Sequence, residues 1–302
     1  MADSLTSPGL ILASNKAIME AQRGIAFVKN FATDFSAELQ GEGKTVKVPV
    51  FSGNATEYSE TPGSVNDFET TDGAIIPVDV TLDKIVKVTY SLGIWDLTEI
   101  NKSSTARNCG TASGRAIGRK LEELVMGLLN YTDATAQATS FQVAKLGKAI
   151  ATAEKNDLDP ATLVCVLSPD AYGDLLDANT ANAAIQGSDI ASALGAKYGI
   201  KAILPSAKVS AYSASNVQKG AGFLVSDAAI AIAARGIEQA VDGMYSEYGV
   251  TSDEGSGLPV TSFVHGAPGR NKRFMNVACM MGSKLTRTVS NKAPGYIQLV
   301  TA

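Results

Sequence analysis

Strict alternation of apolar and polar side chains is the strongest signal in the chain. From position 76 to 92 the even positions read Ile76, Val78, Val80, Leu82, Lys84, Val86, Val88, Tyr90 and Leu92. A period of two, broken only at Lys84, predicts one long half-buried strand with room for a bend. Val46, Val48 and Val50 alternate in the same way beside Lys44, Lys47 and Pro49, and the natural partner of that strand is the one beginning near Ile76. The two make a hairpin. Residues 51–75 between them are rich in Ser, Gly, Thr and Glu, a stretch longer than the roughly 12 to 15 residues that a structureless loop in a compact domain tolerates. A two-stranded ribbon is marginal in water, so Phe51, Tyr58 and Phe68 need a surface to rest on. That surface belongs either to the arm's own domain, as a flap, or to a neighbouring molecule.

From Thr105 the period changes. Ile117, Leu121, Leu124 and Leu128 follow at steps of four, three and four, with Val125 and Leu129 widening the stripe, which predicts a long amphipathic helix over 106–129. With Leu124 inside that stripe, Leu124→Asp is expected to unfold the chain by burying an unpaired charge. The polar side carries Arg115, Arg119 and Lys120, then Glu122 and Glu123, so Arg119 has carboxylates three and four residues on. A Thr/Ala/Asp/Gln break over 131–140 separates this helix from a second, expected over 141–155. An apolar strand over 163–167 follows, and then a short helix near 171–177, with Ser168 as cap and Pro169 at its first turn. An Ala-rich helix over 189–198 and a strand near 200–204 come next. Residues 223–234 begin as a strand, with 228–234 readable as strand or helix. This order describes an α+β unit of about a hundred residues. Strand character returns from Gly236, after a polar turn region at 251–257, where Met275, Val277, Cys279 and Met281 alternate, and a terminal strand is expected at 296–300. No internal repeat is visible.

Composition narrows the classes. A chain of 302 residues, 45% apolar and 19% charged, can bury a sizeable core in one or two units. No run approaches the roughly 18 to 20 apolar residues of a membrane span. The first twelve residues have no basic flank before their apolar patch, unlike a secretory signal, so a cytosolic site of synthesis and residence is expected. Cys109, Cys165 and Cys279 are odd in number and form no CxxC pair, which favours free, packed thiols over disulfides or a thiolate metal site. A net charge of −4 and a pI near 5.2 exclude the basic character of a protein whose main task is gripping nucleic acid.

Catalytic inventories are thin. His265 is the only histidine, so a triad or dyad would rest on it alone, and a packing or loop role is expected. A multi-histidine metal site is impossible, and an all-carboxylate site has no spacing that marks it. Gly110, Gly114 and Gly118 before Arg119 and Lys120 faintly suggest a phosphate loop. They lack the GK[ST] ending and open a helical stripe, so close helix packing explains them better. No catalytic residue, metal or cofactor is expected.

The order of N-terminal arm, long hairpin with an acidic tip, long amphipathic helix, α+β unit containing Val166-Leu167-Ser168-Pro169-Asp170-Ala171-Tyr172 and Gly222-Phe223-Leu224-Val225-Ser226-Asp227, and terminal strands resembles the Hong Kong 97 fold. That is the fold of major capsid proteins of tailed double-stranded DNA bacteriophages. The resemblance spans nearly the whole chain in order and proportion and rests on no single motif. It implies an N-terminal arm over 1–43, an extended loop over 44–92 and a peripheral domain with its spine helix over 93–140. An axial domain over 141–236 and a return through the peripheral domain over 237–302 complete the scheme.

The function so implied is assembly into pentamers and hexamers of an icosahedral shell around double-stranded DNA. The implied location is the virion after assembly in the host cytoplasm, with a portal, a decoration protein and a scaffolding protein as partners. Residues 52–83 contain no lysine, so the isopeptide weld of some relatives is not supported. Only about 45 residues precede the hairpin, which favours a separate scaffolding protein. The inter-subunit contacts expected are Phe51, Tyr58 and Phe68 with the acidic Glu57, Glu60, Asp67, Glu69 and Asp72, received by Arg270, Lys272 and Arg273. Arg115 and Arg119, four apart on one helix side, would face packaged DNA as loose counter-charges without reading sequence. Two other functions fit the sequence: an encapsulin-like nanocompartment shell, and a cytosolic α/β enzyme using carboxylates.

Overall fold

The computed structural model describes residues 15–17, 19–21, 28–36, 43–53, 73–92, 103–129, 138–141, 146–180, 190–209, 213–214, 217–218, 220–237, 247–252, 259–267, 272–286 and 295–301. In chain order its elements are β1 (Ala32–Asp34), β2 (Thr45–Gly53), β3 (Gly73–Thr81), β4 (Lys84–Leu92), α1 (Ser103–Met126), β5 (Ala138–Phe141), α2 (Leu146–Lys155), β6 (Leu163–Leu167), α3 (Pro169–Thr180) and α4 (Ile190–Tyr198). Then follow β7 (Ala202–Pro205), β8 (Ser213–Ala214), β9 (Val217–Gln218), β10 (Gly220–Ser226), β11 (Ile230–Arg235), β12 (Glu247–Ser252), β13 (Pro259–Ala267), β14 (Lys272–Leu285) and β15 (Tyr296–Thr301).

The expected hairpin forms. β2 and β3 pair antiparallel from Thr45↔Thr81 to Gly53↔Gly73. The single strand expected over 76–92 is two strands, because the chain turns at Leu82 and Asp83 just before Lys84, the one position where the alternation fails. β3 stays with the arm while β4 joins β14, from Lys84↔Met281 to Leu92↔Arg273. The corner is tight: a Cβ on Gly282 would lie 2.2 Å from the Thr81 carbonyl oxygen, so only glycine lets the arm cross β14 there.

Two larger sheets carry the body. The first runs β1-β11-β14-β13-β12, with β4 on β14 as well. Since β4 and β11 both pair with Met280 and Met281, they occupy opposite edges of β14. The odd positions Met275, Val277, Cys279 and Met281 pack with Val86, Val260 and Val264 against Ile117 and Leu121 of α1. The second sheet runs β5-β15-β10-β6-β7. All five residues of β6 are buried, because both sides of this sheet are covered. Leu163, Cys165 and Leu167 meet Leu146, Ile150, Leu175 and Leu194 of the three short helices. Val164 and Val166 meet Val125, Met126 and Leu129 from the end of α1, together with Phe31. One helix therefore serves two cores, changing partner sheet between Leu121 and Val125.

Several expectations are corrected. The second helix begins at Leu146, not near 141, because Ala138–Phe141 is a strand paired in parallel with β15. Its Ala-Thr-Ser-Phe carries no alternation to announce it. Leu124 is only partly buried at the border of the first core, since the buried line is Ile117, Leu121 and Val125. An aspartate there is not forced into the interior. The ambiguous 228–234 stretch supplies β11, a strand. β11 belongs to the first sheet and β15 to the second, so the chain passes between sheets at Asp227 to Ala229 and returns at its end. Ser168 does cap α3, its Oγ accepting from the Ala171 N–H at 3.4 Å, and Gly114 meets the backbone of Ala17 so closely that a Cβ would lie 2.2 Å from its oxygen.

Candidate assembly surfaces

The arm is anchored on its own molecule at the root. Val46, Val48, Val80 and Leu82 bury their inward faces against Ala231 and Ala233 of β11, with Met280 and Phe35 beside them. Toward the tip this contact thins: Val50 and Ile76 are half-buried, and Ile75 on the outer face is 65% exposed. Phe51 lies in β2 opposite Ile75, its side chain outside the described residues. Glu57, Tyr58, Glu60, Asp67, Phe68, Glu69 and Asp72 also lie outside the described residues.

The expected receiving cluster is only partly described. Arg270 falls outside, Lys272 opens β14 with an exposed side chain, and Arg273 is described as strand backbone alone. Eight residues of β14 separate Arg273, opposite Leu92, from Met281, opposite Lys84. At roughly 3.3 Å per residue that is about 26 Å, so this cluster and the arm's root sit at opposite ends of one strand pair.

The outer face of α1 is more specific than its sequence suggested. Arg115 hydrogen-bonds through Nε to Glu20 at 3.0 Å, which ties the amino-terminal helical segment to α1 and offsets that charge. Lys120, not Arg119, pairs with Glu123, at 2.5 Å, and Lys208 reaches the same carboxylate at 3.3 Å. Hydrogen bonds from Lys120 and then Lys208 hold the Glu123 carboxyl below the ordinary range. Glu122 instead accepts from the Ser206 hydroxyl at 2.6 Å. Arg119 is exposed and makes no ion pair among the described residues.

Two lysines that sequence reasoning did not group, Lys84 and Lys120, line one groove beside the arm's root. Among the described residues β4 pairs with β14 alone, and its other edge has no described strand beside it. That edge and α1 enclose a groove of about 470 Å³. Ala116, Lys120 and Leu124, four apart and hence on one helix line, form one wall, and β4 from Lys84 to Val88 forms the other. Lys84 appeared in the sequence only as a fault in an alternating pattern. Nothing short of the strand-to-helix packing brings it to Lys120.

His265 packs as expected. Its ring stacks on Phe274 at 5.3 Å, and its Nδ1 lies 3.1 Å from Asn276 Nδ2. Asn276 Oδ1 in turn accepts from the Thr89 hydroxyl at 2.7 Å, so the histidine belongs to a polar stitch across β13, β14 and β4. Burial pushes the Cys165 and Cys279 thiols up to about 12 and raises that of Cys109. Among the described residues no three His, Cys, Asp or Glu side chains are placed to hold a metal ion, and no helix is long and apolar enough to cross a membrane.

No protein-family model matches the chain, and no curated protein matches it in sequence. Solved structures do. Cyanophage A-1(L) capsid aligns at TM-score 0.59 and 12% identity, over 92% of this chain and 93% of that one. The capsid of cyanophage P-SCSP1u aligns at 0.56 and 14%, over 90% and 86%, and the capsid of Ralstonia phage GP4 at 0.56 and 14%, over 91% and 90%. The chain has the phage capsid fold. The α+β, Hong Kong 97-type arrangement expected from the order of elements is therefore what the chain adopts. Identity this low means that the capsid fold is shared while almost every side chain differs, so surface chemistry must be read from this chain itself.

Proposed function

We propose that this protein is a major capsid protein of a tailed double-stranded DNA bacteriophage, a structural subunit that does no catalysis. The observation that carries the proposal is the coextensive match to phage capsids, about nine-tenths of both chains, together with an arm whose root is secured while its apolar outer face is not. The arm works as the extended loop over 44–92 and α1 as the spine. The first sheet and α1 serve as the peripheral domain, and the second sheet with α2, α3 and α4 serves as the axial domain. Subunits gather into pentamers and hexamers and close into a shell in the virion, after assembly in the host cytoplasm with a scaffolding protein, a portal and a decoration protein.

Each contact can be modest, at about 25 cal/mol per Å² of apolar surface, because closure multiplies many of them. DNA contact is slight at this net charge, with Arg119 the freer counter-charge and Arg115 already paired. The test is to express the chain with and without its scaffolding partner and measure sedimentation, with electron microscopy of the fast fraction. Closed particles of uniform size are expected. A stable monomer under every condition would refute the proposal.

A further inference from the structure

We infer that His265, Asn276 and Thr89 form a proton-operated relay across the face of the first sheet turned away from α1. A proton taken up at His265 Nδ1 turns the Asn276 amide over, and the exposed Thr89 hydroxyl changes from donor to acceptor in the chain of hydrogen bonds. The relay belongs to one subunit and needs no second copy. His265 stands opposite Phe274, and Asn276 opposite Thr89, so all three lie on the side of the sheet away from the Met275, Val277 and Cys279 line that packs on α1. Asn276 is buried, with 4% of its surface exposed. His265 is half-buried and Thr89 is open to solvent.

The hydrogen bonds fix which atom holds which proton. Asn276 Oδ1 carries no hydrogen, so at 2.7 Å the Thr89 hydroxyl donates to it. That turns Nδ2 toward His265. An amide nitrogen only donates, so at 3.1 Å His265 Nδ1 accepts, and the neutral ring keeps its hydrogen on Nε2. A second proton, taken from solvent, has only Nδ1 to occupy, where its N–H meets the amide N–H head-on. A buried donor left facing a donor is the costly case, more so when one of them is charged. A half-turn of the amide about χ2, a torsion with a broad two-fold profile, removes the conflict. Oδ1 then accepts from the charged ring, a strengthened bond, and Nδ2 donates to Thr89 Oγ1. Both hydrogen bonds survive, and no strand has to move.

The released Thr89 hydrogen points outward. Two strand spacings, about 10 Å, separate the ring that takes up the proton from the hydroxyl that reports it. With the ring neutral, the open hydroxyl offers lone pairs to whatever lies on this face, and with the ring charged it offers an O–H donor. On the same face β14 contributes Lys272 and β4 contributes Lys87, opposite Ala267 and Ala278. Tyr248 of β12 stands opposite Phe263, and Glu247 falls opposite Val264 on the other face. Among the described residues of these strands the face carries no carboxylate, so the Asn276 oxygen is the acceptor within reach of the charged ring.

His265 is the only histidine in the chain, so ¹⁵N-histidine labelling of the full-length unassembled subunit yields a single pair of ring signals. Spectra are followed from about pH 8 to about pH 5, the range in which imidazoles gain their second proton. Nδ1 is expected bare and Nε2 protonated at the start, and both protonated at the end. Over the same steps the nuclear Overhauser contacts of the Asn276 amide protons are expected to pass from the His265 ring to the Thr89 methyl, and to return when the pH is raised. His265→Phe keeps the stack on Phe274 and is expected to hold those contacts constant across the titration. A ring protonated on Nδ1 at the alkaline end, a ring still neutral at the acid end, or amide protons that keep their contact with the doubly protonated ring would each overturn the inference. So would the same pH-dependent turn of the amide in His265→Phe.

Discussion

The line of residues that α1 buries is tested most sharply by truncating two of them separately. Ile117 is fully buried against Val86, Val264, Met275 and Val277, whereas Leu124, two turns on, stands at the wall of an open groove. Each loses three carbons on change to alanine. At about 0.8 kcal/mol per buried methylene, Ile117→Ala loses about 2.4 kcal/mol of transfer free energy. The cavity it leaves brings the cost to roughly 3 to 4 kcal/mol. Leu124 keeps part of its surface in water and opens no sealed cavity, so Leu124→Ala costs about 1 kcal/mol. The gap of about 2 kcal/mol is a factor of roughly 30 in the folding equilibrium. Urea denaturation of unassembled subunits reads it as a midpoint shift at constant slope. Equal losses for the two variants, or a loss under 1 kcal/mol at Ile117, would show that the buried line has been drawn on the wrong side of the helix.

Other consequences follow the same geometry. Gly114→Val drives side-chain carbon into the Ala17 backbone and is expected to cost about 1 to 3 kcal/mol, with faster hydrogen exchange at residues 15–21. Deleting residues 52–74 removes none of Val46, Val48, Val80 or Leu82, so thermal unfolding is expected to stay near that of the intact chain while closed particles disappear from sedimentation profiles. Cys165 and Cys279, with thiols near 12 in the folded chain against 9 unfolded, remain protonated where the unfolded chain has ionised. Stability is therefore whole below pH 9 and falls between about pH 9 and 12 by up to roughly 1.4 kcal/mol per unit for each thiol. Replacing both with alanine is expected to flatten that alkaline limb in pH-dependent denaturation, and an unchanged limb would count against the assignment.

Much of this was legible in the sequence because the informative elements are periodic. Val46 to Val50 and the even positions after Ile76 gave both strands of the arm, and the unbroken apolar run over 163–167 gave β6. Periodicity says nothing about which partner a strand takes, so one alternating pattern hid two strands in two sheets. It also cannot reveal a four-residue strand such as β5, whose place is fixed by β15 some 160 positions later. The candidate surfaces divide in the same way. The acidity of 54–72 is a local property and could be read directly. The meeting of Lys84 with Lys120 at one groove depends on a strand packing beside a helix, which no local pattern announces.

The account depends most on where the arm's outer half comes to rest. A cryo-electron microscopy reconstruction of assembled particles, with density traced through residues 54–72, measures that directly. The account predicts that each tip lies against an adjacent copy of the chain. Tips folded onto the subunit that carries them, in particles of one or two copies, would contradict it.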